Sequence, residues 1–135
     1  MTTIAPPPAE WAPHKAVWIG FPSHADLWVD DLEPAREEVV AFARAVHADG
    51  RGERVILVAA DAEAGDTAMT MAPFAEVVVE PFGDIWLRDT APILLTAEEA
   101  RDFDFNGWGA KYDLPGDEFR SIRDKSRATV TGADK

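Results

Sequence analysis

The sequence predicts a mixed α/β fold, and three observations predict it. Three short apolar runs, AVWIGFP (16–22), ERVILVAA (53–60) and EVVVEP (76–81), show no polar alternation. That is how strands covered on both faces read. An amphipathic helix pattern separates the first two runs. Pro and Gly close the runs and the helix at their ends, as boundary residues do.

The elements follow in order. AVWIGFP is stopped by Pro22, and SHADLWVDD (23–31) reads as a loop. A helix follows, with Asp30 as its predicted N-cap and Glu33 three residues later, as in a capping box. Pro34 is tolerated in a first turn. Ala35, Val39, Phe42, Ala43 and Val46 recur at helical spacing and define one apolar face. Gly50 and Gly52 end the helix. ERVILVAA is the second strand, and DAEAGDTAMTMA (61–72) reads as a loop or a short helix. EVVVEP is the third strand and PILLT (92–96) the fourth. RDFDFN (101–106) alternates charged and aromatic residues, as a half-exposed fifth strand does.

Length and composition set the classes. A chain of 135 residues with 47% apolar residues predicts one packed domain. The formal net charge of −12 argues against nucleic acid or an anionic membrane as partner, because both need a basic face. With no cysteine there is no disulfide, no thiolate metal ligand and no thiol nucleophile. His14, His24 and His47 do not stand at metal-ligand spacing, so no metal site is predicted. No cofactor is implied, since the chain has neither a Gly-rich phosphate loop nor a GxSxG elbow. No basic-then-apolar leader opens the chain and no apolar run approaches a membrane span, so a cytoplasmic location is expected.

The last 17 residues differ in kind. Residues 119–135 carry a net charge of +3 and a single aromatic residue, whereas the first 118 carry −15. Residues 1–118 are therefore expected to form the domain. Residues 119–135 are expected to be a disordered or foreign tail, as out-of-frame translation would give.

Three clusters can carry chemistry. In FGDIWLRDTAPILL (82–95), Trp86, Arg88 and Asp89 fall within four positions at the mouth of a predicted strand. A carboxylate beside an indole face suits a flat cation: the carboxylate accepts two parallel N–H bonds from a guanidinium, and the ring stacks on its plane. The structural alternative has Asp89 capping a turn and pairing with Arg88, with Trp86 in the core. FNGWGAKYDLPGD (105–117) places Trp108 between two glycines on a tight loop, either facing a ligand or plugging the core. PAEWAPHKAVWIGFP (8–22) crowds two Trp and three Pro before and within the first strand. His14 there reads as a surface residue with an ordinary hydrogen-bond partner.

Taken together and in this order, PAEWAPHKAVWIGFP, DIWLRDTAPI and FNGWGAKY resemble three motifs of the agmatine deiminases, related to the bacterial peptidyl-arginine deiminases. DLWVDDLEPAREE (26–38) is similar to that family's link into its first helix. The resemblance covers residues 8–118. It implies a pentein fold (α/β propeller), five ββαβ-type units around a central channel, of which about the first two are present. It also implies guanidine hydrolysis by a hydrolase acting on amidine C–N bonds. A Cys thiolate attacks the guanidinium carbon, two acidic residues hold its nitrogens, a His moves protons, ammonia leaves, and water releases the ureido product. With agmatine that product is N-carbamoylputrescine, a step toward putrescine. By this resemblance Asp89 is the guanidinium-binding carboxylate, Trp86 flanks the substrate, Trp108 lies near it, and Arg88 anchors the loop.

The departure from the family is length. The downstream EGG-type acidic segment, the catalytic His and the catalytic Cys are all missing from these residues. The expectation is one substrate-binding wall of a deiminase, inactive by itself. Alternatives are a non-catalytic binder of agmatine-like cations, a half-subunit completed by a partner chain, a peptidyl-arginine substrate, or an unrelated α/β module in which Trp86 and Asp89 are buried.

Overall fold

In the computed structural model of the chain, residues 6–96 and 100–101 are described. Strand β1 spans Val17–Gly20, β2 Val55–Ala59 and β3 Glu76–Val79. Between them run a single-turn helix α1 (Ala25–Trp28), the long helix α2 (Leu32–His47) and helix α3 (Ala62–Met71). The three strands form a parallel sheet in the order β1-β2-β3, with Val17 opposite Val55 and Ile56 opposite Glu76. Two consecutive βαβ units therefore build the described body. A one-turn helix α4 (Leu87–Thr90) follows. A separate antiparallel pair closes the described chain, β4 (Ile93–Leu94) with β5 (Ala100–Arg101).

The centre of the sheet is β2, and every one of its residues is buried. Its side chains alternate between two apolar layers. Val55, Leu57 and Ala59 pack with Phe21 and with Val40, Ala43, Ala64, Ala68 and Ala72 from the helix side. Val58 and Ala60 face the opposite way, onto Phe82 and Leu87, with Trp18, Ile85 and Ala91 around them. The unbroken apolar run at 53–60 thus reports a strand with cover on both faces. The neighbours β1 and β3 each pair with one strand among the described residues and are only partly buried.

Four expectations need correction. SHADLWVDD is not a loop but α1 followed by a 3-10 turn, Val29–Asp31. Asp30 is not the N-cap of α2: the cap position is Asp31, and its side chain makes no capping bond. Glu33 instead pairs with Arg36, with Arg36 Nη1 2.7 Å from Glu33 Oε1. The helix face is also turned. Phe42 is 58% exposed, while Val40 takes the buried position and Arg36 is only 7% exposed. A buried arginine is tolerated because each part of it is engaged. Nε donates to the Pro22 carbonyl at 3.0 Å, Nη1 meets Glu33, and the guanidinium lies over the Phe21 ring.

Within residues 61–72, Ala62–Met71 form a true helix. Asp61 Oδ1 accepts the Ala64 N–H at 2.8 Å, capping α3, and its buried face is Ala64, Gly65 and Ala68. Small residues there let the helix lie close on the sheet. At the far end of α2, Ala48 takes the left-handed conformation and its N–H bonds the Arg44 carbonyl. Gly50 then turns the chain with φ of +82°, a conformation suited to glycine. PILLT is shorter than expected, with two residues in β4. Of RDFDFN, only Arg101 falls within the described residues, and it lies in β5.

Candidate functional site

The site is built where the strands end. Past Val79 the chain crosses to the second face of the sheet, and Phe82 and Leu87 bury themselves against Val58 and Ala60. Two contacts hold this crossing, from His24 and Gly20, and Ser23 ties the strand ends beside it. His24 Nε2 donates to the Phe82 carbonyl at 2.6 Å. Ser23 Oγ donates to the Phe21 carbonyl at 2.7 Å and accepts the Ala60 N–H at 3.0 Å, tying the ends of β1 and β2 together. The backbone of Ile85 lies directly on Gly20, where a Cβ would come within 2.8 Å of the Ile85 Cα and carbonyl oxygen.

From that seat the chain turns sharply into α4. Asp84 Oδ1 accepts the Ile85 N–H at 2.7 Å, and the Ile85 carbonyl accepts the Leu87 N–H at 2.7 Å. The Trp86 carbonyl then gathers the Asp89 N–H at 3.0 Å, the Thr90 N–H at 3.2 Å and the Thr90 hydroxyl at 3.2 Å. Leu87 and Thr90 point inward and are buried. The same geometry turns Trp86, Arg88 and Asp89 outward. Residues three apart on a helix are neighbours on its surface, which brings Trp86, at the cap position, toward Asp89.

Trp86 is 55% exposed and Asp89 is exposed. Among the described residues the Asp89 carboxylate makes no hydrogen bond or ion pair. The structural alternative, with Trp86 in the core and Asp89 paired to Arg88, does not hold. Arg88 instead reaches 78 residues back along the chain, where its Nη2 bonds Glu10 Oε1. That contact, through its hydrogen bond first and its charge second, holds the Glu10 carboxyl below the usual glutamate range. It raises the Arg88 guanidinium correspondingly. Both partners of this pair are exposed. The site residues lie on a one-turn helix rather than at the mouth of a strand.

Trp108 lies outside the described residues, as does the rest of FNGWGAKY. The histidines behave as satisfied hydrogen-bonding groups. His14 Nδ1 meets Glu53 Oε2 at 2.8 Å, His24 holds the Phe82 carbonyl, and His47 Nδ1 accepts the Gly50 N–H at 3.2 Å. No group of three or more metal-ligating side chains occurs among the described residues. No described helix is long and apolar enough to cross a membrane. A groove of about 360 Å³, lined by His47, Glu53, Arg54, Phe74 and Glu76, lies where β2 and β3 begin, at the other end of the strands from the Asp89 segment. Its acidic residues are already paired, Glu53 with His14 and Glu76 with Arg54.

Sequence reasoning did not find Glu10, His24 or Gly20. Glu10 sits inside the PAEW motif but nothing local reveals a partner 78 positions away. His24 and Gly20 act only through a segment that returns to them after two crossovers.

Comparison with known proteins places this geometry. The chain matches the Porphyromonas-type peptidyl-arginine deiminase family over residues 7–130. It is 35% identical over 109 residues to the agmatine deiminase of Stutzerimonas stutzeri, covering 77% of this chain and 29% of that protein. It is 31% identical over 118 residues to the agmatine deiminase of Medicago truncatula, covering 78% and 31%. A cysteine-to-serine variant of C. jejuni agmatine deiminase, solved with substrate bound, has the same fold. Its TM-score is 0.69 at 24% identity, over 86% of this chain and 34% of that one. A second crystal structure, provisionally named a peptidyl-arginine deiminase, gives 0.74 over 92% and 37%. The chain thus spans about 30% of the length of the curated relatives it matches. The share of the solved structures it covers corresponds to about two of the five units of a pentein. The match over nearly all of its residues means that the chain belongs to the Porphyromonas-type peptidyl-arginine deiminase family, with the α/β architecture of the penteins.

Proposed function

We propose that the chain carries one substrate-binding wall of a guanidine-hydrolysing deiminase acting on agmatine. The carrying observation is the outward pair on α4, an unpartnered Asp89 carboxylate and a half-exposed Trp86 on a backbone fixed from beneath. Asp89 would accept N–H bonds from the guanidinium, and Trp86 would stack on its plane. Trp108 is proposed as a further substrate-facing residue. That role rests on the resemblance of FNGWGAKY to the family's third motif.

The chemistry expected of the complete enzyme is hydrolysis of agmatine to N-carbamoylputrescine and ammonia. A thiolate adds to the guanidinium carbon, ammonia departs carrying the proton supplied by a His, and water cleaves the resulting thiouronium. The C. jejuni relative holds its substrate in a form lacking one cysteine, which accords with that role for a thiol. No cysteine occurs in these 135 residues. The thiolate and its proton-moving His are therefore proposed to come from sequence beyond them or from a partner chain. The chain by itself is proposed to be inactive and to act in the cytoplasm. The boundary near residue 118 is proposed on charge and composition, while the family match runs on to residue 130.

Calorimetry of the full chain with agmatine, with arginine-containing peptides as a second ligand, tests the reading. Agmatine binding that Asp89→Asn weakens supports it. Equal binding by both forms removes it. Ammonia release above a no-enzyme blank removes the claim of inactivity.

A further inference from the structure

Arg88 raises a problem that the ion pair with Glu10 answers. Arg88 and Asp89 are adjacent and both exposed. A carboxylate that selects a ligand's guanidinium is equally open to the guanidinium of an arginine, because they are the same ion. Placing an arginine next to such a carboxylate therefore invites self-occupation. Adjacent residues on a helix project about 100° apart, yet the Asp89 charge still acts on the Arg88 guanidinium, so the long Arg88 side chain has two acidic choices, Asp89 beside it or Glu10 beyond it. In the structure it takes Glu10.

We propose that Glu10 is a specificity-determining positioning residue: by engaging Arg88 it keeps the chain's own guanidinium off Asp89 and leaves that carboxylate to a ligand. The proposal rests on the reading of Asp89 as a guanidinium-binding residue. Charge reasoning points the same way. Glu10 and Arg88 cancel each other, so Asp89 adds its full negative charge to that of Asp84 in the same segment. Without Glu10, Arg88 and Asp89 cancel, and a cationic ligand meets a less negative surface. The Glu10 side chain serves this end from the opening segment of the chain, which places a specificity element far from the helix it serves.

Two readouts on the full 135-residue chain test it. The first needs no ligand. The carboxyl ¹³C resonance of Asp89 is followed by NMR as Arg88→Gln is introduced, once with Glu10 present and once in Glu10→Gln. A larger displacement in the Glu10→Gln background is expected. Equal displacements in both backgrounds overturn the proposal. The second is agmatine affinity at low salt. Glu10→Gln is expected to weaken binding roughly threefold, the effect of one unit charge several ångströms away in water. Glu10→Asp should retain affinity, and the double variant with Arg88→Gln should recover it. The difference should vanish near 1 M salt, where screening is nearly complete. A double variant as weak as Glu10→Gln alone means that Glu10 only tethers the opening segment, and the proposal falls. Should wild type and Asp89→Asn bind agmatine equally, the functional reading fails, while the Asp89 resonance still decides whether Glu10 holds Arg88 away.

Discussion

Gly20 and Ile85 touch backbone to backbone: a Cβ on Gly20 would stand 2.8 Å from both the Ile85 Cα and its carbonyl oxygen. Neither atom is the end of a flexible side chain, so one backbone must move. Gly20→Ala is expected to cost about 1–3 kcal/mol, as overpacking does. It should also displace the segment carrying Trp86. Urea unfolding measures the first effect, and the fluorescence of Trp86 in a background with the other tryptophans replaced by Phe measures the second.

The middle strand carries the largest packing risk. Leu57 is fully buried between α2 and α3. Leu57→Ala should destabilise the chain by about 2–5 kcal/mol, through lost transfer energy and the cavity left behind. By contrast, Phe42→Ala on the same domain should change stability by less than about 0.5 kcal/mol, because its side chain is mostly in solvent. Thermal and chemical denaturation of the two variants side by side check the assignment of the α2 face.

Asp89→Asn should weaken agmatine binding by about 1.5–3 kcal/mol, the usual value of a hydrogen bond to a charged group. Trp86→Ala should weaken it less, by about 0.5–2 kcal/mol, as expected for a cation–π contact of intermediate exposure. Neither should move the unfolding midpoint appreciably, since both side chains project outward. Calorimetry paired with denaturation separates the two effects.

The Glu10–Arg88 contact should depend on pH in one direction only. The Arg88 hydrogen bond and then its charge lower the Glu10 carboxyl in the folded chain, with His14 adding a smaller effect. A depressed acid contributes above its unfolded value and loses that contribution as pH falls through the folded one. The contact should therefore be intact at neutral pH and open only below the ordinary glutamate range. Following the Glu10 carboxyl resonance during acidification, in wild type and in Arg88→Gln, checks this. Titration at lower pH in wild type is the expected result.

Much of the fold was legible in the sequence because strands covered on both faces leave an unmistakable mark. ERVILVAA announces β2, and its neighbours follow from the same pattern. The face of α2 was less legible. Arg36 sits where an apolar residue is expected, and only the Pro22 carbonyl, Glu33 and the Phe21 ring, none of them evident from periodicity, explain its burial. Residues 61–72 read as a loop or a short helix, and the Asp61 cap that decides for the helix Ala62–Met71 went unread. For the site, Trp86 and Asp89 stood out by chemistry, but their setting on α4 did not. A single turn made by three bonds to one carbonyl has no periodicity to read.

The two crossovers of the sheet differ in the length of chain they close. Ile56 and Glu76 are partners 20 residues apart, whereas Val17 and Val55 are 38 apart. Closing the longer loop carries the larger entropic cost, by about 0.6 kcal/mol for each doubling of length. On that count the β2-α3-β3 half is expected to close at the lower entropic cost. Segment 82–90 docks on Val58 and Ala60 of one half and on Gly20 of the other. Its seat exists only where both meet. The exposed faces of Asp89 and Trp86 are thus set by both crossovers at once, and damage to either half of the sheet reaches them.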